Sequence, residues 1–307
     1  MSLNDVLTKL ASEEAFPSAV GLCELSGLNA EETKAFKAVW ESASVERRRK
    51  VTARLVELAE ENIELDFNAI FRHALRDDDE DVRTTAIAGL WECEERSLIG
   101  PLVQLVNDDP SDRVRCAAVQ GLGRFALLAE MGKLLERDCR RIEDALLAVL
   151  DSLSETIEVR RRAIEAIAPM SLLRVPQIVQ EAYDSQDPKV QASALFAMGS
   201  TCDPRWLPTL IGELENENPE LRYEAAAALG GLGEEEAVAG LIEALDDSDE
   251  QVQESVIYAL GAIGGGPAKK ALVQASEAGE PRVAEMALAA LRMIEFEDAP
   301  LSLDRQP

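Results

Sequence analysis

Only one histidine, His73, stands in the 307-residue chain. Acid–base or metal chemistry built on imidazole needs a second partner, and none is marked. His73 lies one residue before Ala74 in an amphipathic stretch, so a packed or surface role is expected. The run Asp77-Asp78-Asp79-Glu80-Asp81 invites a calcium reading. A calcium loop needs Gly at its sixth position and Glu at its twelfth, where this chain has Val82 and Ala88. Gly264-Gly265-Gly266-Pro267 lacks the lysine and hydroxyl of a phosphate loop and reads as a helix stop. No H-E-x-x-H, C-x-x-C, G-x-x-x-x-G-K-[ST] or G-x-S-x-G occurs. The five cysteines, Cys23, Cys93, Cys116, Cys139 and Cys202, are odd in number and at least 23 residues apart, which fits reduced, buried thiols better than a disulfide framework. No catalytic residue, metal ligand or cofactor is therefore expected.

Charge narrows the partners. Lys and Arg number 31 against 58 Asp and Glu, a net charge of −27 that disfavours nucleic acid and anionic membrane as ligands. No uncharged apolar run of spanning length occurs, and the opening segment carries Asp5, so a cytoplasmic protein is expected. The charge is uneven: residues 111–187 hold 11 basic and 13 acidic groups, whereas 188–307 hold 8 and 22. Arg137, Arg140, Arg141, Arg160, Arg161 and Arg162 cluster in the nearly neutral middle. They read either as a docking patch for an acidic partner or phosphate, since guanidinium forks suit oxyanions, or as a solvated face paired with Glu143, Asp144, Glu155 and Glu158.

What positions these groups is a repeat. An aliphatic anchor recurs at Val82, Val114, Val159, Val190, Leu221, Val252 and Val283, at intervals of 32, 45, 31, 31, 31 and 31 residues. Small or apolar residues follow at +4, +7 and +8, as in Ala225, Ala228 and Leu229, which places one narrow stripe on a helix. Three residues before each anchor stands Asp79, Ser111, Thr156, Asp187, Asn218, Asp249 or Glu280, all but the last good N-caps. Pro188, Pro219 and Pro281 then fill the first helical position. Upstream lies a second apolar stripe, as in Leu207, Leu210, Ile211 and Leu214. Gly123, Gly199, Gly230 and Gly261 fall at +9, where either a small residue or a left-handed turn lets the chain reverse.

Two helices per ~31 residues cannot bury their own apolar faces and must stack. Residues 1–65 read as capping helices, with an Asn29 to Glu32 capping box and a degenerate second helix over 45–61. Residues 66–294 read as the repeats proper, and 295–307 as a frayed tail. The 45-residue interval carries about 14 extra residues within 124–150, a stretch that reads as helical throughout.

These residues resemble the HEAT-repeat family, in particular the short repeats first associated with phycobilisome lyases, over roughly residues 66–294. The ankyrin T-P-L-H signature is absent, and the tetratricopeptide period would be 34. The resemblance implies an all-α, right-handed α-α superhelical solenoid of about eight helix pairs. It also brings enzymes into view: a diiron deoxyhypusine hydroxylase, which one histidine cannot supply, and a base glycosylase with a cationic cradle, which the net charge opposes.

On each second helix the directions opposite the stripe are +2, +6 and +9, which in such a solenoid line the concave side. Tyr223 stands at +2, Phe196 and Tyr258 at +6, and Trp91 at +9. Exposed aromatics of this kind anchor protein interfaces; the alternative is that neighbouring helices cover the rings. Trp40 and Trp206 read as helix-packing residues. Arg83, Arg115, Arg160 and Arg222, at +1, read as pairing between repeats. The expectation is a non-catalytic protein-interaction scaffold or assembly adaptor whose binding residues are Trp91, Phe196, Tyr223, Tyr258, Arg137, Arg140, Arg141, Arg161 and Arg162. The alternatives are a tetrapyrrole or bilin lyase or chaperone, as the resemblance implies, and a purely structural oligomer.

Overall fold

The computed structural model describes residues 2–12, 15–278 and 280–298, which form helices and turns with no strand among them. In order the helices are α1 (Leu3–Ala11), α2 (Ala19–Leu22), α3 (Ala30–Ser42), α4 (Val45–Glu61), α5 (Asn68–Ala74), α6 (Glu80–Gly89), α7 (Ile99–Asp108), α8 (Asp112–Glu130), α9 (Glu136–Asp151), α10 (Ile157–Ile167), α11 (Val175–Tyr183), α12 (Pro188–Ser200), α13 (Leu207–Glu213), α14 (Pro219–Leu232), α15 (Val238–Glu243), α16 (Glu250–Ile263), α17 (Gly265–Ala278) and α18 (Pro281–Asp298). The fold is an all-α solenoid of paired helices. The chain divides into two compact units, residues 1–163 and 164–307. α18 continues past residue 295, where the sequence places a frayed tail; residues 299–307 lie outside the described residues.

In the first unit, second helices α4, α6 and α8 lie side by side, and first helices α7 and α9 form the other layer. The anchors Val82 and Val114 are fully buried, as are Ala86 and Ala118 four residues on. The long repeat interval lengthens the second helix of one pair and the first helix of the next. α8 runs on to Glu130 and buries Phe125, Ala126 and Leu128, and α9 reaches 16 residues. The stretch is not helical throughout, as the sequence suggests: α8 stops, and the chain turns through residues 131–135, with Gly132 at φ +69°.

The second unit repeats the arrangement with α12, α14, α16 and α18 as neighbours. Here the glycines at +9 take ordinary helical geometry and serve close approach. A Cβ on Gly199 would lie 2.7 Å from the Ala228 Cα, and one on Gly230 2.9 Å from the Ala259 Cα. Both alanines stand at +7 of the next second helix, so the backbones pack directly on one another. The left-handed turn falls instead at +12, where Cys202, Gly233 and Gly264 have φ of 51°, 72° and 68°. Gly264 ends α16, as a helix stop should.

Capping follows the sequence closely. Asp79, Asp187, Asn218 and Asp249 accept from backbone amides at their helix starts, and Thr156 Oγ1 accepts from the Val159 amide. Ser111 departs from expectation: it sits at the cap position, yet its Oγ finds no partner.

The arginines at +1 pair between repeats through one recurring geometry. Arg83 donates Nη1 to the Asp77 carbonyl, six residues back, and forks onto Asp109 at 2.7 and 2.8 Å. Arg115 bonds the Asp109 carbonyl and forks onto Glu155, and Arg222 bonds the Asn216 carbonyl and forks onto Asp247. The accepting aspartates also take the amide two residues on, at Ser111 and Asp249. Each fork therefore ties one helix pair to the next pair's turn. The guanidinium beside Asp247 holds its carboxyl below the usual aspartate value. Arg160, expected in this set, is exposed and makes no such fork.

Two predictions follow from this packing. Gly199→Ala should destabilise the chain by about 1–3 kcal/mol through overpacking, whereas Gly212→Ala, where nothing lies within 4 Å, should stabilise it by up to ~1 kcal/mol. Equal shifts in urea midpoint would contradict the close-approach account. Asp109→Ala strands a buried guanidinium and should cost about 3–5 kcal/mol, while Arg83→Met with Asp109→Leu should recover most of that. A double variant no more stable than the single one would show that the pair is not the source of the loss.

Candidate interaction surface

The second unit opens a groove of about 440 Å³ across α14, α16 and α18. Tyr223 and Tyr258 line it, with Met286 and Met293 from the last helix, over a floor that includes Ala227. Tyr223 is 39% exposed and Tyr258 59%, so neighbouring helices do not cover the rings. The reason is local: the alanine and glycine stripes bring the helices so close that nothing larger fits between them, and the large residues stand outside. Ser255 Oγ donates to the Tyr223 carbonyl at 2.9 Å and fixes α16 against α14. Glu254 supplies a carboxylate to the groove. Phe196, on α12, is 47% exposed and does not line it. The two methionines escaped the sequence reading, which considered only aromatics on this face. Their positions, +3 and +10 from Val283, carry the signal.

Trp91 belongs to the first unit. It follows the end of α6, is 61% exposed, and lines a separate groove of about 520 Å³ with Ile63, Phe67, Phe71 and Cys93. Arg124 lies 5.7 Å from its ring centroid and donates to the Leu90 and Cys93 carbonyls on either side of it. Burial pushes the Arg124 guanidinium below its ordinary value. One face of the indole is thus occupied within the chain and the rest is open.

The central arginines have carboxylates beside them. Arg137 Nε stands 3.8 Å from Asp138, and Arg140 pairs with Glu136 one turn earlier. Arg161 and Arg162 converge on Glu158 at 3.0 and 3.4 Å. Arg141 is exposed and lies beside Gly100.

The residues that could do chemistry serve structure. Asp77 accepts from Trp40 Nε1 at 2.7 Å and pairs with Arg48; Asp79 caps α6 and pairs with Arg49; Asp81 pairs with Arg49 and Arg113. His73 is half-buried against the edge of Trp40, and burial pushes its pKa below the ordinary histidine value. Trp40 and Trp206 are both buried, as helix-packing residues should be. Among the described residues no group of three or more His, Cys, Asp or Glu side chains is placed to hold a metal ion. All five cysteines are free, but only Cys93 is buried, so the expectation of buried thiols holds for one of them.

Residues 68–146 and 175–261, together more than half of the chain, match the family model for HEAT repeats. The protein belongs to the HEAT-repeat family. No curated protein matches its sequence. Among solved structures it is similar to yeast importin-β (Kap95p), at 13% identity over 98% of this chain and 47% of that one, with a TM-score of 0.53. It is likewise similar to Kap95 in a complex with Nup1, at 13% identity over 97% and 46%, TM-score 0.52. A Kap121p mutant follows at 17% identity over 96% and 38%, TM-score 0.50. The chain spans less than half the length of each, and the likeness is one of fold. No helix among the described residues is long and apolar enough to cross a membrane.

Thiol accessibility checks the placement of these side chains. Burial, with Glu158 and Asp112 nearby, pushes the Cys116 thiol up to about 11, whereas Cys202 is exposed. The thiolate is the reactive form, so iodoacetamide near pH 7.5 should label Cys202 first and Cys116 slowly, with the Cys116 rate rising steeply with pH. Peptide mass spectrometry showing equal rates would overturn that ordering.

Proposed function

We propose that this HEAT-repeat protein is a non-catalytic interaction scaffold that binds protein partners through the exposed face of its second helices. The observation that carries the reading is the meeting of Tyr223, Tyr258 and Met293 in one open groove. Large side chains left partly exposed by their own fold, held on rigid helices, are the material of binding hot spots. The likeness to Kap95 in its Nup1 complex supports the reading at the level of fold. Charge shapes the partner: 58 acidic against 31 basic residues make nucleic acid and anionic membranes poor ligands. Five free cysteines suit a reducing compartment such as the cytoplasm. Phe196 would extend the contact surface within the second unit, Trp91 would offer a separate contact in the first, and Arg137, Arg140, Arg141, Arg161 and Arg162 would serve an acidic partner only by giving up local pairing where they have it. The matched model is of HEAT repeats in general and brings no support to a tetrapyrrole lyase or chaperone.

A photocrosslinking residue in place of Ala289, an exposed residue that lines the groove, introduced in the native cell, should capture a partner identified by peptide mass spectrometry. Tyr223→Ser with Tyr258→Ser should abolish that capture while moving Tm by less than ~4 °C, because partly exposed rings carry little of the fold's stability. A Tm fall like that of a core Leu→Ala change, or undiminished capture, would refute the reading.

A further inference from the structure

Tyr223, Tyr258 and Met293 stand at +2, +6 and +10 of three consecutive second helices, 35 residues apart along the chain. Each step crosses to the next helix, roughly 8–10 Å away, and advances one turn, about 6 Å, along it. The three side chains therefore form a diagonal apolar stripe with anchors roughly 10–12 Å apart. Seven residues of an α-helix rise about 10.5 Å, which matches that spacing. An extended peptide would bring backbone amides and carbonyls to a floor whose own backbone groups are spent within α14, α16 and α18. The Ser255 hydroxyl is likewise spent on the Tyr223 carbonyl. A helix satisfies its own backbone and needs only side-chain contact.

The flanks of the stripe differ in charge. Toward the starts of α16 and α18 lie Glu254, which lines the groove, and Glu285, both exposed. Arg282 lies beside this edge, 3.8 Å from Glu254. Toward the ends of α14 and α16 lie Ala227, Gly231 and Ala262, which carry no charge. Around them, residues 188–307 hold 22 acidic groups against 8 basic ones.

From this geometry we infer that the α14–α16–α18 face takes an amphipathic helix of a partner protein, with apolar residues repeating every seven positions and Lys or Arg along one flank. The inference rests on the scaffold reading and gives that partner its chemistry.

The probe is a fluorescein-labelled, helical peptide of ~18 residues, with Leu every seventh residue, Lys along one flank and Ala elsewhere. Two control peptides carry Glu in place of Lys, or Ser in place of Leu. Anisotropy should show that full-length protein binds the Leu/Lys peptide at least tenfold more tightly than either control. Y223S/Y258S/M293S should weaken binding at least tenfold, and E254Q/E285Q several-fold with a shallower salt dependence. Circular dichroism and Tm confirm that each variant is folded, and single replacements stand in should the triple variant not fold. Equal binding of the Glu peptide, or retention by the triple variant, would overturn the inference. Crosslinking at position 289 separates it from the scaffold reading. Capture of a partner segment without a basic amphipathic helix, or of a second copy of this chain, leaves an interaction surface but refutes this occupant. Probe binding without any capture in cells supports the groove's chemistry and refutes the scaffold role.

Discussion

The second unit depends on one contact, the backbone of each second helix lying directly on the next. It exists because a glycine at +9 faces an alanine at +7, so that Gly199 meets Ala228 and Gly230 meets Ala259 with no side chain between them. At that separation dispersion contacts run along the whole length of the helices, and any added atom must push them apart. The same closeness decides where large residues go. Tyr223 and Tyr258 cannot enter the seam between helices and emerge on the outer face, so the binding surface is a by-product of how the core is packed.

The arginine forks solve a different problem. Stripes of alanine and glycine specify closeness but grip little against sliding, because small side chains interlock weakly. A guanidinium that bonds its own turn's carbonyl and the next turn's carboxylate fixes the position of one helix pair on the next. Arg83 with Asp109 does this in the first unit, and Arg222 with Asp247 does it in the second. Where Gln191 replaces arginine at +1, its amide bonds the Tyr183 carbonyl, eight residues back, and reaches no further. The polar tie between neighbouring helix pairs therefore varies from repeat to repeat, even where the period holds at 31 residues.

Much of this was legible in the sequence, since periodicity, caps and proline positions are local signals that tertiary contacts rarely override. Five of the seven anchors are buried, Val190 and Val283 being half-buried, and five of the seven capping side chains behave as their residue types dictate. Ser111 departs from them: its amide donates to Asp109 as at the other caps, but its hydroxyl sits in a buried spot and finds no partner. The role of the +9 glycines was ambiguous because a glycine reports only that a Cβ is unwelcome, and a left-handed φ and a close neighbour exclude it equally. The answer lay three residues on, at +12, where Cys202 keeps the left-handed turn that Gly233 and Gly264 adopt freely. The break at 131–135 was hidden because Gly132 interrupts a stretch that is otherwise strongly helical in composition.

Met286 and Met293 show why the candidate surface was only half legible. A search for aromatic residues follows one helix at a time, but a surface across parallel helices is written in a different period: the repeat plus the turns gained in crossing. Tyr223, Tyr258 and Met293 obey 35, not 31. Period alone does not separate surface from core, since buried Leu221 and Val256 also stand 35 apart; this diagonal crosses the open face because it runs through +2, +6 and +10, outside the buried stripe at 0, +4, +7 and +8. Methionine suits the end of such a diagonal, since an unbranched, polarisable side chain adapts to a partner that the rigid tyrosines only orient. The core and the candidate surface thus occupy the same three helices without competing for residues, because they take different faces of each helix.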